Sequence, residues 1–357
     1  MVAAEAATSH DVRYGSDRGL ALWLFAIASM IALMVLVGGL TRLTGSGLSI
    51  TEWRPVTGAM PPLSDADWQA EFAKYQGSPQ YDLLNRGMGL AAFKTIYWWE
   101  WTHRLLGRLI GVVFAIPFLV FLWQRRIDRA LAGQLAVIFL LGAAQGALGW
   151  WMVQSGLEET RVAVSQYRLA AHLGLAIILF GYILWTALEV LDVRPTSITT
   201  AARFRLPVLV FAGLVFIQML LGAFVAGLDA GLAFSTWPTY AGAWIPRGLY
   251  DLSPWWINHF ENHALVHFQH RSMGYVVALM AAWLFLSIRN LGPDKPLNLP
   301  STHVIALVAI QIALGVFTVT SGVALPLAAL HQIVALALFA CALWWAYALS
   351  ARQADMA

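Results

Sequence analysis

The stretch THRLLG, Thr102–Gly107, returns later in the chain as QHRSMG, Gln269–Gly274. Both copies place a His-Arg pair at the edge of an apolar run, with a glycine three residues after the arginine. Other segments repeat in the same order: GSGLSITEW from Gly45 and DAGLAFSTW from Asp229, QGALGWWMVQSGL from Gln145 and QIALGVFTVTSGV from Gln311, and the sequences around His172 and His331. The chain is therefore predicted to be a tandem duplication whose halves differ mainly in loop length.

Composition predicts a polytopic membrane protein. Of the 357 residues, 59% are hydrophobic and only 11% are charged, whereas a soluble domain carries about 25% charged residues. A bilayer core about 30 Å thick needs roughly 20 apolar residues per helix. Eight segments qualify: 20–40, 103–123, 133–153, 169–190, 206–228, 264–287, 303–322 and 325–349.

Four helices per half is an even number, so both halves enter the membrane in the same direction. The predicted fold is all-α, with eight transmembrane helices in two pseudo-symmetric, parallel four-helix bundles. The predicted units are a segment 1–19, a first half 20–190, a linker 191–205, a second half 206–349 and a tail 350–357.

Basic residues predict the orientation, because they accumulate on the cytoplasmic side. They precede the first span and follow the second, as at Arg125 and Arg126. Both termini are thus predicted to be cytoplasmic, with the loops 41–102 and 229–263 outside. The first apolar segment is too long for a signal-peptide core and no transit-like sequence precedes it, which favours a multi-pass protein of a bacterial inner membrane. The net charge of +3 indicates no nucleic-acid partner, and the lone Cys341 excludes a disulfide.

Four histidines recur at equivalent places and are predicted to lie at a common depth near the outer surface. They are His103 and His172 in the first half and His270 and His331 in the second. Facing histidines in a four-helix bundle suit the axial positions of a heme iron. A single membrane histidine often only packs and hydrogen-bonds, but four repeated ones disfavour that reading. Zinc is less favoured, because no thiolate accompanies the pairs.

Charged neighbours distinguish the two predicted sites. Arg104, Arg168 and Arg271 are candidates for binding heme propionates, the alternative being that they extend to lipid headgroups; no role is assigned to Arg108. Glu100 lies one helical turn from His103, and the second half has His267 at that position. This asymmetry predicts that one heme is the substrate and the other an electron carrier, with His267 as a reserve ligand.

Three motifs resemble the heme A synthase family: E-x-x-H-R-x-x-G from Glu100, its H-x-x-H-R-x-x-G echo from His267, and GGLTRLTGSGLSITEWRPVTGAMPP, Gly38–Pro62. The resemblance covers about residues 20–350. It implies eight helices in two four-helix halves, and the oxidation of the C8 methyl group of heme O to a formyl group, which gives heme A for cytochrome oxidase.

The resemblance also implies roles for individual residues. His103 and His172 would flank the substrate heme O, with Glu100 beside it as the catalytic acid, and His270 and His331 would ligate a heme b cofactor. Implied partners are the membrane heme O synthase (a farnesyltransferase), a quinol/quinone or other electron-transfer partner, and membrane lipid. The outer loop 41–102 lacks the cysteine pair of some members, which is typical of the proteobacterial and mitochondrial branch and excludes a thiol redox step there.

Two other functions fit parts of the pattern. A di-heme b-type quinol cytochrome needs paired histidines but has no need for Glu100. A heme or porphyrin transporter would account for the parallel duplication, because many transporters are duplicated.

Overall fold

The computed structural model describes residues 17–158, 161–191, 202–290 and 295–350. Eight helices in these ranges are long and apolar enough to cross a membrane. They are α1 Arg18–Leu43, α2 Leu90–Trp123, α3 Arg129–Gln154, α4 Gln166–Leu191, α5 Arg205–Gly227, α6 His263–Arg289, α7 Lys295–Thr320 and α8 Leu325–Ala348. The predicted all-α class and the eight predicted spans are confirmed. The terminal segment 1–19, the linker 191–205 and the tail 350–357 lie mostly outside the described residues.

Helix α2 begins at Leu90, well before the predicted start at 103. The added turns stand outside the apolar run and pack on the helix Asp65–Gln76 of the outer loop, so a criterion based on hydrophobic length does not detect them. His103 therefore lies well inside α2, and His270 lies about two turns inside α6. The predicted start of the second helix at 103 was therefore wrong, whereas the predicted start of the sixth at 264 agrees with the structure.

The helix neighbours repeat in the two halves. In the first half α1 contacts α2, α2 contacts α3, α3 contacts α4 and α4 returns to α1; helices α5 to α8 form the same ring. The halves meet where α1 packs on α8 and α4 packs on α5 and α8. This arrangement of two equivalent four-helix rings is consistent with the predicted duplication.

Buried apolar side chains concentrate at one end of the bundle, where α1 and α5 begin and α4 and α8 end. Leu24, Phe211 and Trp345 are fully buried there. At that end, Asp17 caps α1 and accepts hydrogen bonds from Arg126, which hold the pKa of the Asp17 carboxyl below its usual value. The start of α1 is thereby tied to the turn between α2 and α3.

The opposite end contains a large cavity, and part of the first outer loop covers it. The helix Asp65–Gln76 begins with a capping box formed by Ser64 and Asp67. Its apolar face packs against the first turns of α2 in a second, smaller core of six buried residues: Ile50, Trp68, Phe72, Tyr75, Phe93 and Tyr97. The first outer loop is thus a folded structure supported on α2.

Candidate functional site

The cavity has a volume of about 1520 Å³ and reaches into both halves. All four repeated histidines line it: His103, His172, His270 and His331. Pockets for single small ligands usually measure about 300–1,000 Å³, so this space is larger than one such ligand requires. The predicted common depth of the four histidines is consistent with their lining of one cavity.

Each of the four imidazole rings packs against a glycine of the helix that precedes it. The four contacts are Gly38 with His103, Gly149 with His172, Gly222 with His270 and Gly315 with His331. A Cβ atom added at any of these glycines would lie between 2.9 and 3.2 Å from a ring atom. The glycines therefore provide the space that the rings occupy, as small residues do where membrane helices approach closely.

The second-half pair fits an iron held between two imidazoles. The ring centroids of His270 and His331 are 6.3 Å apart, with an angle of 78° between the planes. Two nitrogens bound at about 2.0–2.1 Å to one metal ion place the ring centroids roughly 6 Å apart. His331 Nδ1 is buried without a hydrogen-bond partner. Residues with this spacing and an unsatisfied ring nitrogen are suited to hold a heme by both faces.

The first-half site contains a buried carboxylate whose oxygens are all engaged. Glu100 is 2% exposed. Its Oε2 accepts hydrogen bonds from Ser49 Oγ and the Ile50 backbone N–H, both at 2.8 Å. Its Oε1 accepts from Arg104 Nε at 3.0 Å and Nη2 at 2.6 Å. Because a carboxylate has about four acceptor positions, Glu100 has little capacity left for a further donor.

Arg104 and Arg108 bind the outer loop as well as lining the cavity. Arg104 donates to the carbonyls of Ile50 and Glu52, at 2.8 and 3.0 Å. Arg108 donates to the carbonyls of Arg54 and Pro55, both at 2.8 Å. Most of the Arg104 donors predicted to bind a propionate are thus committed to the loop and to Glu100. The role of Arg108, which the sequence left open, is to anchor the same loop.

The other two predicted arginines differ in their relation to the cavity. Arg271 lines it, donates to the carbonyls of Thr236 and Pro238, and stacks over the Tyr240 ring at 4.1 Å. Arg168 is not part of the cavity wall: it donates to the Trp151 carbonyl at 2.6 Å and lies over the Trp151 ring. The structure therefore brings Arg271, but not Arg168, to the site.

His267 occupies the place of Glu100 in the second half but has different surroundings. It is 2% exposed, stacks on Phe234 and meets the edge of Tyr240, and its Nδ1 has no hydrogen-bond partner. Burial raises the pKa of Tyr240 to about 12, so this phenol stays protonated. An aromatic enclosure thus replaces the hydrogen-bonded carboxylate of the first half.

Two groups of residues at the site were missed by the sequence reasoning. Three glutamines of α3, α5 and α7 contact the histidines: Gln145, Gln218 and Gln311. Their signal is a glutamine four residues before three of the four contacting glycines, Gly149, Gly222 and Gly315. Arg42 lines the cavity between the halves and pairs with Asp229 at 2.9 Å. Its signal is its position in the long motif of the first half, where the second half has Ala226.

The fold and the site define a class: a membrane protein whose described residues include eight candidate spanning helices and two pairs of histidines that line one cavity. Residues 21–343 match the family COX15-CtaA, described as "Cytochrome oxidase assembly protein", and the chain belongs to this family. It is 50% identical over 337 residues to the heme A synthase of Parvibaculum lavamentivorans, covering 94% of this chain and 95% of that one. It is 48% identical over 330 residues to the heme A synthase of Paracoccus denitrificans, covering 91% and 86%.

The close glycine–histidine contacts generate a prediction with a matched control on one helix. Gly149→Ala puts a Cβ 2.9 Å from His172 Cε1 and should displace the ring, whereas Gly146→Ala meets nothing within 4 Å. Overpacking of this kind costs about 1–3 kcal/mol. We expect purified Gly149→Ala protein to carry less heme per chain than Gly146→Ala protein, measured by pyridine hemochrome absorbance. Equal heme content in the two variants would contradict the spatial role of Gly149.

Proposed function

We propose that this protein is an oxidoreductase that converts the C8 methyl group of heme O to a formyl group and so produces heme A. The observation that carries the proposal is the combination of two histidine-lined sites in one cavity, of which, among the residues that the structure describes, only one has a buried carboxylate. The family and its relatives named heme A synthase support it.

We assign the substrate heme O to His103 and His172 and a heme b cofactor to His270 and His331. The ring spacing of the second pair supports this cofactor assignment. Heme b bound there would supply one-electron transfer. The shared cavity, whose lining is mostly apolar, places both sites in one space and shortens the path for electrons between the halves.

Glu100 is proposed to act as a fixed negative charge beside the substrate. Withdrawing electrons from a methyl group leaves an electron-poor carbon, and a preorganised carboxylate stabilises such developing positive charge. The four hydrogen bonds that Glu100 accepts hold its oxygens in place. Because those oxygens are occupied, the geometry favours electrostatic stabilisation over proton transfer by Glu100 itself.

The remaining binding roles follow from which residues reach the cavity wall. Arg271 is proposed to face the propionates of heme b. Arg104 is proposed to bind a propionate of the substrate through the N–H groups that it does not donate to Glu100 or to the loop carbonyls. Arg168, held against Trp151, has no contact that supports its predicted propionate role. Arg42, whose Nε is buried without a partner at the cavity wall, is an additional candidate.

We further propose a bacterial inner-membrane location with both termini cytoplasmic and the cavity end outside. The basic residues that flank the spans on the apolar-core end support this orientation. The proposed partners are the membrane heme O synthase, which would supply a hydrophobic substrate within the bilayer, and a quinol/quinone or other electron-transfer partner that would accept the electrons.

The orientation can be tested because Cys341 is the only cysteine of the chain. In a Cys341→Ser background, Gln69→Cys and Gln124→Cys each place one thiol at an exposed position on opposite ends of the bundle. We expect a membrane-impermeant maleimide to label Gln69→Cys in intact spheroplasts, and Gln124→Cys only after lysis. The reverse pattern would contradict the orientation.

The cofactor assignment predicts that His270→Ala or His331→Ala removes the low-spin, bis-histidine spectrum of heme b. Gly222→Ala should perturb the same spectrum, because its Cβ would lie 3.2 Å from His270 Cε1; Gly213→Ala on the same helix meets nothing within 4 Å and is the control. Reduced-minus-oxidised spectra measure the effect. An unaltered spectrum in both histidine variants would place heme b elsewhere, with His267 the first residue to examine.

The catalytic assignment predicts that Glu100→Gln lowers heme A formation by about a hundredfold, or roughly 3 kcal/mol of transition-state stabilisation. Heme O, or a partly oxidised alcohol, should accumulate on the protein, as identified by extracting the bound pigments. A di-heme quinol cytochrome would instead hold heme b alone, with or without Glu100.

Ser49→Ala is the matched control, because it removes one hydrogen bond from Glu100 while leaving its charge. If Glu100 only holds the outer loop, both variants should lose heme while each folded molecule turns over normally. Near-normal heme A yield from a well-folded Glu100→Gln protein would exclude the catalytic role.

A further inference from the structure

The first helix of each pair carries the same five-residue unit, which ends in the glycine that contacts a histidine. The four units are MVLVG from Met34, QGALG from Gln145, QMLLG from Gln218 and QIALG from Gln311. Three units begin with glutamine and one begins with methionine. The unit that begins with methionine is the one that faces His103, in the half that contains Glu100.

Each glutamine bonds to the histidine across from it. The Nε2–O distances to the histidine backbone carbonyl are 3.0 Å for Gln145 with His172, 3.0 Å for Gln218 with His270 and 2.8 Å for Gln311 with His331. The same amide nitrogens lie 3.2–3.5 Å from a ring nitrogen. These contacts connect neighbouring helices and fix both the backbone and the ring of each histidine.

The amide oxygens of the three glutamines have no partner, although all three are buried. A histidine that binds a metal usually donates its other ring N–H to a nearby acceptor, which fixes the ring orientation and makes the ligand more basic. Here the amide nitrogen, which donates to the histidine backbone carbonyl, is the end of each glutamine that lies beside the ring. Each glutamine therefore holds its histidine through the backbone carbonyl of that histidine.

Met34 occupies in the first half the position that Gln218 has in the second. Gly107 and Gly274 follow their histidines by one turn; a Cβ on Gly107 would lie 3.3 Å from Met34 Cε, and one on Gly274 would lie 3.6 Å from Gln218 Nε2. A thioether donates no hydrogen bond and accepts only weakly. His103 thus lacks the amide contact that the other three histidines have.

We propose that Gln145, Gln218 and Gln311 are positioning residues, and that Met34 leaves His103 as the weakly held ligand from which the first-half heme exchanges. A substrate must bind and its product must leave, whereas a resident cofactor is retained. The unequal support of the histidines provides this difference: two amides hold the second-half heme, and one holds the first. The inference rests on the proposed placement of substrate and cofactor.

The test measures heme loss from the purified full chain with its bound hemes. Excess apomyoglobin captures released heme, and the change in Soret absorbance gives the rate. We expect two phases in the wild-type protein, of which the faster belongs to the first half. Met34→Gln should slow that phase by about three- to tenfold, the scale of one interhelical hydrogen bond in a membrane. Met34→Leu, which adds no hydrogen-bonding group, should leave it unchanged.

The reciprocal variant Gln218→Met should accelerate the slower phase while leaving the faster one unaltered. In each variant the unaffected half reports that the protein has folded. Equal rates for Met34→Gln and Met34→Leu, with the slow phase intact, would overturn the inference even if the wild-type protein forms heme A. Conversely, if the rates change as expected but the protein forms no heme A, the result would support unequal retention of heme by the two halves and overturn the proposed function.

Discussion

The contact of an imidazole ring with the bare backbone of a glycine sets the geometry of the whole cavity end. Membrane helices lack a hydrophobic force that would draw them together, so close packing and hydrogen bonds decide their spacing. At each of four places a ring fills the volume that a side chain on the neighbouring helix would take. This fixes the distance within each helix pair and directs the rings into the shared space. A larger residue at any of these glycines would change the separation of two helices and the position of a ligand together.

The two halves have the same helix arrangement but different side chains around their histidines. In the second half, the arginine after the histidine binds loop carbonyls and stacks on Tyr240, while His267 sits among aromatic rings. In the first half, the equivalent arginine pairs with Glu100 as well as with the loop. A buried ion pair is tolerated only when its remaining hydrogen-bonding capacity is satisfied, and the loop backbone around Ile50 satisfies it. A single position, Glu100 or His267, therefore decides whether a site contains a buried carboxylate.

The large-scale features were predictable because they depend on hydrophobic length and on repetition. Eight spans, a duplication and four histidines on one wall all follow from patterns that the chain displays directly. The outward extension of α2 was not predictable, since those turns are stabilised by the outer loop rather than by lipid. The partners of Arg104 were hidden for a similar reason: they are backbone carbonyls, which every residue possesses and no sequence pattern marks. The glutamine-containing units can be recognised in the sequence, but only the packed helices show that Gln145 contacts His172.

The connections between paired helices also imply an order of folding. Helices α7 and α8 are joined by a short turn, and the connection between α3 and α4 is much shorter than the outer loops, so the contacts of His172 and His331 with their glycines close smaller loops of chain. The contacts of His103 and His270 must wait for long outer loops to close, which costs more chain entropy and is slower. Each site is therefore expected to assemble from one early ligand and one late ligand. During biogenesis, one side of each site is therefore expected to stay open to a planar ligand of the size of heme until the outer loop of that half has folded.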